Sequence, residues 1–407
     1  MATPIVNALG QLLKISSAEE PKAHQPDIEY QPDRTKWEAR TARRLAADPS
    51  LPNKPLPAGY PKKLESPLVW EGSDWKDEKQ WIYPLSASDL SEIAHAVKHF
   101  RSLDKPLGFV SRSTFPLHAL GSVLSAVARE VHNGRGFSMI RGIPVDLYSR
   151  EDIMIIYAGV SSYIGDLRGI FDPNGTMVGH VADLSGAHGK GAIGAPAYTA
   201  DPQVFHTDDG DLVGLLTMQT AAEGGLSKIS SVWRVYNHLA ETRPDLIGTL
   251  SQSWPYDGFG GDPPYTVRPL LTYLDGRMIV QFARRYFTGF QALPRSNDIP
   301  PISEAQADAL DTLQFLAEKY ALRIQCQKGD IQYINNLSLI HTREGFKNDK
   351  EHTRHLLTFW LRNEELAWKI PEYLDAKWQQ LYYSTAPEQQ KFPLEPVIRK
   401  AGQGAKS

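Results

Sequence analysis

A single cysteine, Cys326, in 407 residues leaves no internal disulfide framework and no multi-cysteine zinc or iron–sulfur site. Charge of one sign is missing too. The 44 Lys and Arg against 47 Asp and Glu give a net charge of −3, so no basic field points to nucleic acid or to an anionic membrane surface. No apolar run approaches the roughly 18 residues that span a bilayer. Residues 1–20 carry only a short apolar stretch (Ile5, Val6, Leu9, Leu12, Leu13) with no basic residue before it, a poor leader peptide. The expectation is a soluble cytoplasmic protein. Nucleophile and nucleotide signatures are also absent: there is no P-loop, no G-x-S-x-G and no H-E-x-x-H. Gly189 to Gly194 matches G-x-G-x-x-G, but Pro196 and Pro202 follow with no helical period, so a glycine-rich loop is expected there.

What remains is ordinary globular composition, 41% hydrophobic and 22% charged. Residues 1–60 form an expected N-terminal arm, rich in proline and partly irregular. Its basic cluster from Arg34 to Arg44 is expected to be a short helix with a solvated face. Residues 61–407 are expected to form one domain, with core strands over about 198–365 and a C-terminal extension over 366–407. Ser88 is the expected cap of a helix carrying Leu90, Ile93, Ala94 and Val97. Further helices are expected around Leu117–Val127 and over Ser149–Ile164, and a strand over Gly136–Gly142. Past residue 198 short strands dominate: Leu212–Gln219, a hairpin about Asp275-Gly276, Leu322–Cys326, Ile331–Ile334 and His355–Leu361. Ser303 and Gln306 form a capping box for one intervening helix. Helices first and many strands afterwards imply an α+β chain, a closed or sandwiched antiparallel core with helices packed around it. Cys326, in an alternating strand pattern, is expected to be a buried structural thiol.

His206-Thr207-Asp208 places an imidazole and a carboxylate two apart on an extended segment, on the same side of the chain. His341 follows a later apolar region and is a candidate third ligand, giving the 2-His-1-carboxylate set of non-haem iron. Arg354 opens a strand, where a guanidinium can bind a carboxylate bidentately while buried. Gly224-Gly225-Leu226-Ser227 ends in a hydroxyl suited to the same carboxylate.

This ordered set resembles the taurine dioxygenase and clavaminate synthase-like (TauD/TfdA) family of iron(II)/2-oxoglutarate-dependent oxygenases. The likeness runs over roughly residues 60–365, including Trp70-Glu-Gly72, Gly134-Arg-Gly-Phe137, Arg141-Gly142, Gly329-Asp330-Ile331 and Asn335-Asn336. The resemblance implies a double-stranded β-helix (jelly-roll, cupin-like) core with flanking helices. It implies Fe(II) held by His206, Asp208 and His341, and 2-oxoglutarate as cosubstrate with its far carboxylate on Arg354 and Ser227. It also implies O2 as oxidant, and oxidation of an unactivated C–H bond coupled to loss of CO2 and formation of succinate. The family's second arginine, four residues after the first, is here Thr358, so a sulfonate held in that manner is not expected.

The expected substrate is a small molecule: an amino acid, another small carboxylate, or a secondary metabolite. Arg284, Arg285 and Arg343 are the candidate substrate residues, one of the first two facing the pocket, with Thr358 at its wall. Asp209 and Asp211 are expected to be solvated loop acids, His180 and His188 to be uninvolved, and His352 and His355 to be structural. No nucleic-acid or membrane partner is expected, and self-association into a homo-oligomer is left open. The alternative reading is a non-catalytic jelly-roll metal-binding protein; the complete ligand set argues against it.

Overall fold

The computed structural model describes residues 24–189 and 191–398; the apolar stretch at 5–13, the rest of the first 23 residues, Lys190 and the last nine lie outside the described residues. In chain order the main elements are α1 (Arg34–Ala47), β1 (Ile82–Pro84), α2 (Ala87–Ser102), α3 (Ala119–Asn133), β2 (Phe137–Arg141), α4 (Arg150–Ser161), β3 (Leu167–Arg168) and β4 (Gly179–Ala182). Then come β5 (Gln203–His206), β6 (Leu212–Gln219), β7 (Ser227–Ser231), α5 (Val232–Thr242), α6 (Pro244–Leu250) and α7 (Glu304–Tyr320). The series ends with β8 (Leu322–Ile324), β9 (Ile331–Asn335), β10 (Leu339–Arg343), β11 (His355–Arg362) and α8 (Asp375–Tyr383).

Two sheets face each other as a jelly roll. The larger runs β1-β2-β9-β6-β11-β3, with β4 also paired to β11; the smaller runs β8-β7-β10-β5. Strand alternation sorts the side chains. On the larger sheet Ile140, Leu216, Tyr333, Leu357 and Phe359 turn outward into a core with α2, α3 and α4. Phe137, Met139 and Ile334 turn inward and meet Ile229, Leu322, Ile324 and Leu339 of the smaller sheet. Helices α5, α6 and α7 share a third hydrophobic cluster with the 271–280 hairpin. The larger sheet takes strands from as early as residue 82, well before the strand-rich region the sequence marks out.

Local chemistry accounts for the boundaries. Ser86, not Ser88, caps α2, because Ser86 and Asp89 close a reciprocal capping box. Ser149 caps α4, and Ser303 with Gln306 caps α7. Asp275 and Gly276 both have positive φ (47° and 77°), the backbone of a tight two-residue turn between Leu271–Leu274 and Arg277–Val280. β8 stops at Ile324, so Cys326 lies just past the strand, half-buried, with burial pushing its thiol up to about 11. A Cβ on Gly329 would lie 2.0 Å from the Ile143 carbonyl, and the adjacent Asp330 takes a two-pronged contact from Arg141 at 2.9 Å. That clamp explains the Gly-Asp pairing in the sequence.

The basic cluster forms the expected helix with Arg34 and Arg43 exposed, but Arg40 and Arg44 turn inward. Arg40 is 3% exposed and binds Asp311 at 2.6 Å and Glu304 at 3.0 Å, while Arg44 and Thr41 bind Asp308. Trp37 stacks on Phe315, ring centres 4.7 Å apart, and donates to Thr312. The reason is that α1 presents a polar seam at helical spacing (37, 40, 41, 44) to a matching acidic seam on α7 (304, 308, 311). Among the described residues no helix is long and apolar enough to cross a membrane.

Candidate metal centre

β5 and β10 pair antiparallel with His206 directly opposite His341. Cross-strand partners point the same way and stand about 5 Å apart, and the two imidazole centres lie 4.3 Å apart. Asp208 follows β5 by two residues and turns back toward both rings: its Oδ1 is 3.8 Å from His206 Nε2 and its Oδ2 is 3.9 Å from His341 Nε2. One donor atom from each of the three lies within 4.8 Å of the others, a span that a single ion with bonds of about 2.1 Å closes after a small contraction.

The surroundings hold these donors in place. His206 Nδ1 sits 2.9 Å from the Val204 carbonyl, which fixes the tautomer that leaves Nε2 free. Burial, reinforced by His206, pushes His341 down to about 3, so it stays a neutral ligand. Asn336 grips the Asp208 loop. Its Oδ1 accepts from Asp208 N at 2.9 Å, and its Nδ2 donates to the carbonyls of Asp208 (2.7 Å) and Gly210 (2.8 Å). Thr207 Oγ1 donates to the Phe282 carbonyl at 3.1 Å. Two imidazoles and a carboxylate fit ferrous iron.

Arg354 lies one residue before β11, 8% exposed, with Nη1 lacking any hydrogen-bond partner. No carboxylate of the described residues pairs with it, and burial pushes its guanidinium down to about 10. Its Nε lies 3.0 Å from where a Cβ on Gly225 would stand, and Gly225 has φ 72°, so the Gly-Gly turn is what admits the arginine. Ser227, half-buried, opens β7 opposite Arg343. The site therefore combines three converging donors that could hold a metal ion with a buried cation suited to a carboxylate.

The substrate candidates divide. Arg284 is buried but does not offer its charge to a pocket: Nη2 binds Asp311 at 2.6 Å and Nε donates to the Glu29 carbonyl at 2.7 Å. Sequence spacing cannot reveal that α7 supplies its acid. Arg285 is half-buried and donates to the Gly194 carbonyl at 3.2 Å. Arg343 is 4% exposed; Nη2 donates to the carbonyls of Thr199 (3.0 Å) and Asp201, while Nε and Nη1 have no partner. Thr358 is buried on β11 with Oγ1 unpartnered, packed against Gly179.

Asp211 is not solvated: it is 2% exposed, bound by Arg362 and Trp378 Nε1 at 2.6 Å each, and burial raises its carboxyl to about 6. Asp209 pairs with Lys377, and Tyr382 Oη accepts from Asp211 N at 2.9 Å. The C-terminal helix α8 thus braces the ligand loop. His180 and His355 bind each other at 2.9 Å. No strand leads into the 189–194 loop among the described residues; a one-turn helix, Ser185–His188, precedes it.

The chain is similar to several known proteins. The profile of the taurine catabolism dioxygenase TauD, TfdA family matches residues 101–360. The taurine hydroxylase-like protein SAT17 of Stachybotrys chartarum is 34% identical over 342 residues, 82% of this chain and 88% of that protein. The FR-33289 synthase of Streptomyces rubellomurinus is 22% identical over 315 residues, 74% of this chain and 91% of that protein. Among solved structures, an asparagine oxygenase in complex with Fe(II), 3-hydroxyasparagine and succinate superposes with a TM-score of 0.54 at 16% identity, over 70% of this chain and 95% of that one. The non-haem iron oxygenase OrfP with Fe and alpha-ketoglutaric acid gives 0.51 at 14% identity, over 69% and 94%. With its jelly-roll core, the chain belongs to the TauD/TfdA family of non-haem Fe(II)/2-oxoglutarate-dependent oxygenases.

Proposed function

We propose that this oxygenase uses His206, Asp208 and His341 to hold Fe(II), and Arg354 with Ser227 to hold the far carboxylate of 2-oxoglutarate, in order to oxidise a C–H bond of a small metabolite. The observation that carries this reading is the convergence of three donor atoms within 4.8 Å beside a buried guanidinium that has no protein carboxylate. Ferrous iron with 2-oxoglutarate supplies the activation of O2, the cosubstrate leaving as succinate and CO2. The protein's own residues do the rest. His206 is oriented through Val204, Asp208 through Asn336, and the low dielectric around Arg354 strengthens its pull on a carboxylate. The hydroxylated amino acid in the asparagine oxygenase and the synthase activity of the Streptomyces relative support an amino acid, small carboxylate or secondary metabolite as substrate. A single cysteine suits a reducing compartment such as the cytoplasm.

The test is anaerobic. Purified protein with Fe(II) and 2-oxoglutarate should develop a visible metal-to-ligand charge-transfer band, and on exposure to O2 with pools of small metabolites it should release succinate. His206→Ala and Asp208→Ala should lose both iron and band; normal iron retention in either removes the assignment. No band in the wild-type protein favours a non-catalytic metal-binding protein.

A further inference from the structure

Beside the triad and Arg354 stands a further buried charge that no carboxylate of the described residues pairs with. Arg343 stands two residues beyond His341 on β10, and its cationic carbon lies 4.7 Å from the centre of the Phe346 ring, on which Arg354 also rests at 5.3 Å. Two guanidinium groups thus share one aromatic ring inside the protein, and neither makes an ion pair with a carboxylate of the described residues. Asp183 and Asp201 face Arg343 from beyond ion-pair contact. A buried charge with two unsatisfied donors is unfavourable unless a ligand completes it. One dicarboxylate satisfies Arg354. Its second acidic end, together with Asp208, balances a divalent ion. The charge of Arg343 is then left over.

The N-terminal arm reaches the same place. Gln25 donates to the Phe287 carbonyl at 2.9 Å, Gln31 donates to the Pro202 carbonyl at 2.6 Å, and Arg284 holds the Glu29 carbonyl. Between these anchors Tyr30 packs edge-on to Phe290, ring centres 4.7 Å apart, and its hydroxyl takes the amide of Val204 at 3.4 Å, two residues before the first ligand histidine. Arg285, Arg343 and Arg284 all lie near enough to lower its phenol against the burial that pushes it up to about 12. The arm lies wholly outside residues 101–360, where the family profile matches.

We propose that Arg343 and Tyr30 form a second anion subsite beside the metal centre, which takes the carboxylate, sulfonate or phosphonate of the substrate. The arm is then part of the active-site wall, and Tyr30 is a specificity-determining residue supplied from outside the stretch that the family profile matches. This rests on the functional reading above and narrows its substrate class to anions.

The test titrates acetate, methanesulfonate and methylphosphonate, with acetamide as the neutral control, into the full-length Fe(II)–2-oxoglutarate complex under anaerobic conditions, read by calorimetry. One of the anions should bind once per chain while 2-oxoglutarate stays bound, and acetamide should not bind. Arg343→Gln should weaken that anion by about tenfold or more, Arg343→Lys should recover part of the loss, and Tyr30→Phe should weaken it about threefold to tenfold with the charge intact. The 2-oxoglutarate affinity, read from the visible band, should change less than about twofold in each. A loss of 2-oxoglutarate affinity in Arg343→Gln with the probe anion unaffected would assign Arg343 to the cosubstrate and overturn the subsite. Unchanged anion binding in Tyr30→Phe, or no anion bound by a wild-type complex that shows the band, overturns it as well. Absence of the band in wild type is a failure of the functional reading instead.

Discussion

Arg284 Nη2 sits 2.6 Å from Asp311 Oδ1, and the other oxygen of that carboxylate takes Arg40 at 2.6 Å from the N-terminal helix. One acid on α7 therefore ties the arm to the segment that follows the 271–280 hairpin. Asp311→Ala leaves two guanidinium groups buried without their shared partner, and should cost about 3–5 kcal/mol in urea denaturation. A cost under about 1 kcal/mol would mean that Glu304 and the backbone carbonyls suffice.

Arg354→Ala should raise the 2-oxoglutarate requirement about a hundredfold, because a charge-assisted contact to a buried carboxylate is lost. Iron affinity should move by less than about threefold. Titration of the visible band against 2-oxoglutarate, beside a separate Fe(II) competition assay, separates the two effects. Equal losses in both would make Arg354 a structural cation.

Asn336 touches no proposed ligand side chain, yet makes three hydrogen bonds to the backbone of the Asp208–Gly210 loop. Asn336→Ala should weaken Fe(II) binding by about 10–100-fold, the usual effect of removing a group that orients a ligand. Metal content after dialysis against a chelator gives the readout.

The His180–His355 pair sets an acid limit. Burial, and then His180, pushes His355 down to about 4. The unfolded chain takes up this proton near pH 6.5, while the folded protein refuses it until about pH 4. Its stabilising contribution is complete above pH 6.5 and is lost as pH falls toward 4, by up to about 3 kcal/mol. His355→Gln should flatten the urea-derived stability profile between those values relative to wild type; parallel profiles would show that His355 titrates normally.

The parts of the site legible in the sequence are those set by local periodicity. The spacing of His206 and Asp208 keeps the two donors together even though β5 ends at His206 and Asp208 turns back from the loop beyond it, and the glycines of 224–225 announce a turn too tight for side chains. What stayed hidden depends on contacts far apart in the chain. The arginines at 40 and 284 look like surface or pocket charges until α7 is folded against them; the visible clue is the row of acids at 304, 308 and 311, spaced to lie along one side of that helix. Asp211 likewise looks solvated, since nothing near it foretells that Arg362 and Trp378 will close over it. Tyr30 carries no periodic signal at all, because an irregular strap is positioned by its anchors and not by its own pattern.

Lys377 and Tyr382 of α8 hold the loop that carries Asp208, while His341 must come back across the smaller sheet to meet His206. During synthesis the loop that carries Asp208 is made near the middle of the chain but gains its braces from α8 only when residue 382 has been added. A protein clipped ahead of α8 would keep all three proposed ligands and still release its metal more readily than the intact chain.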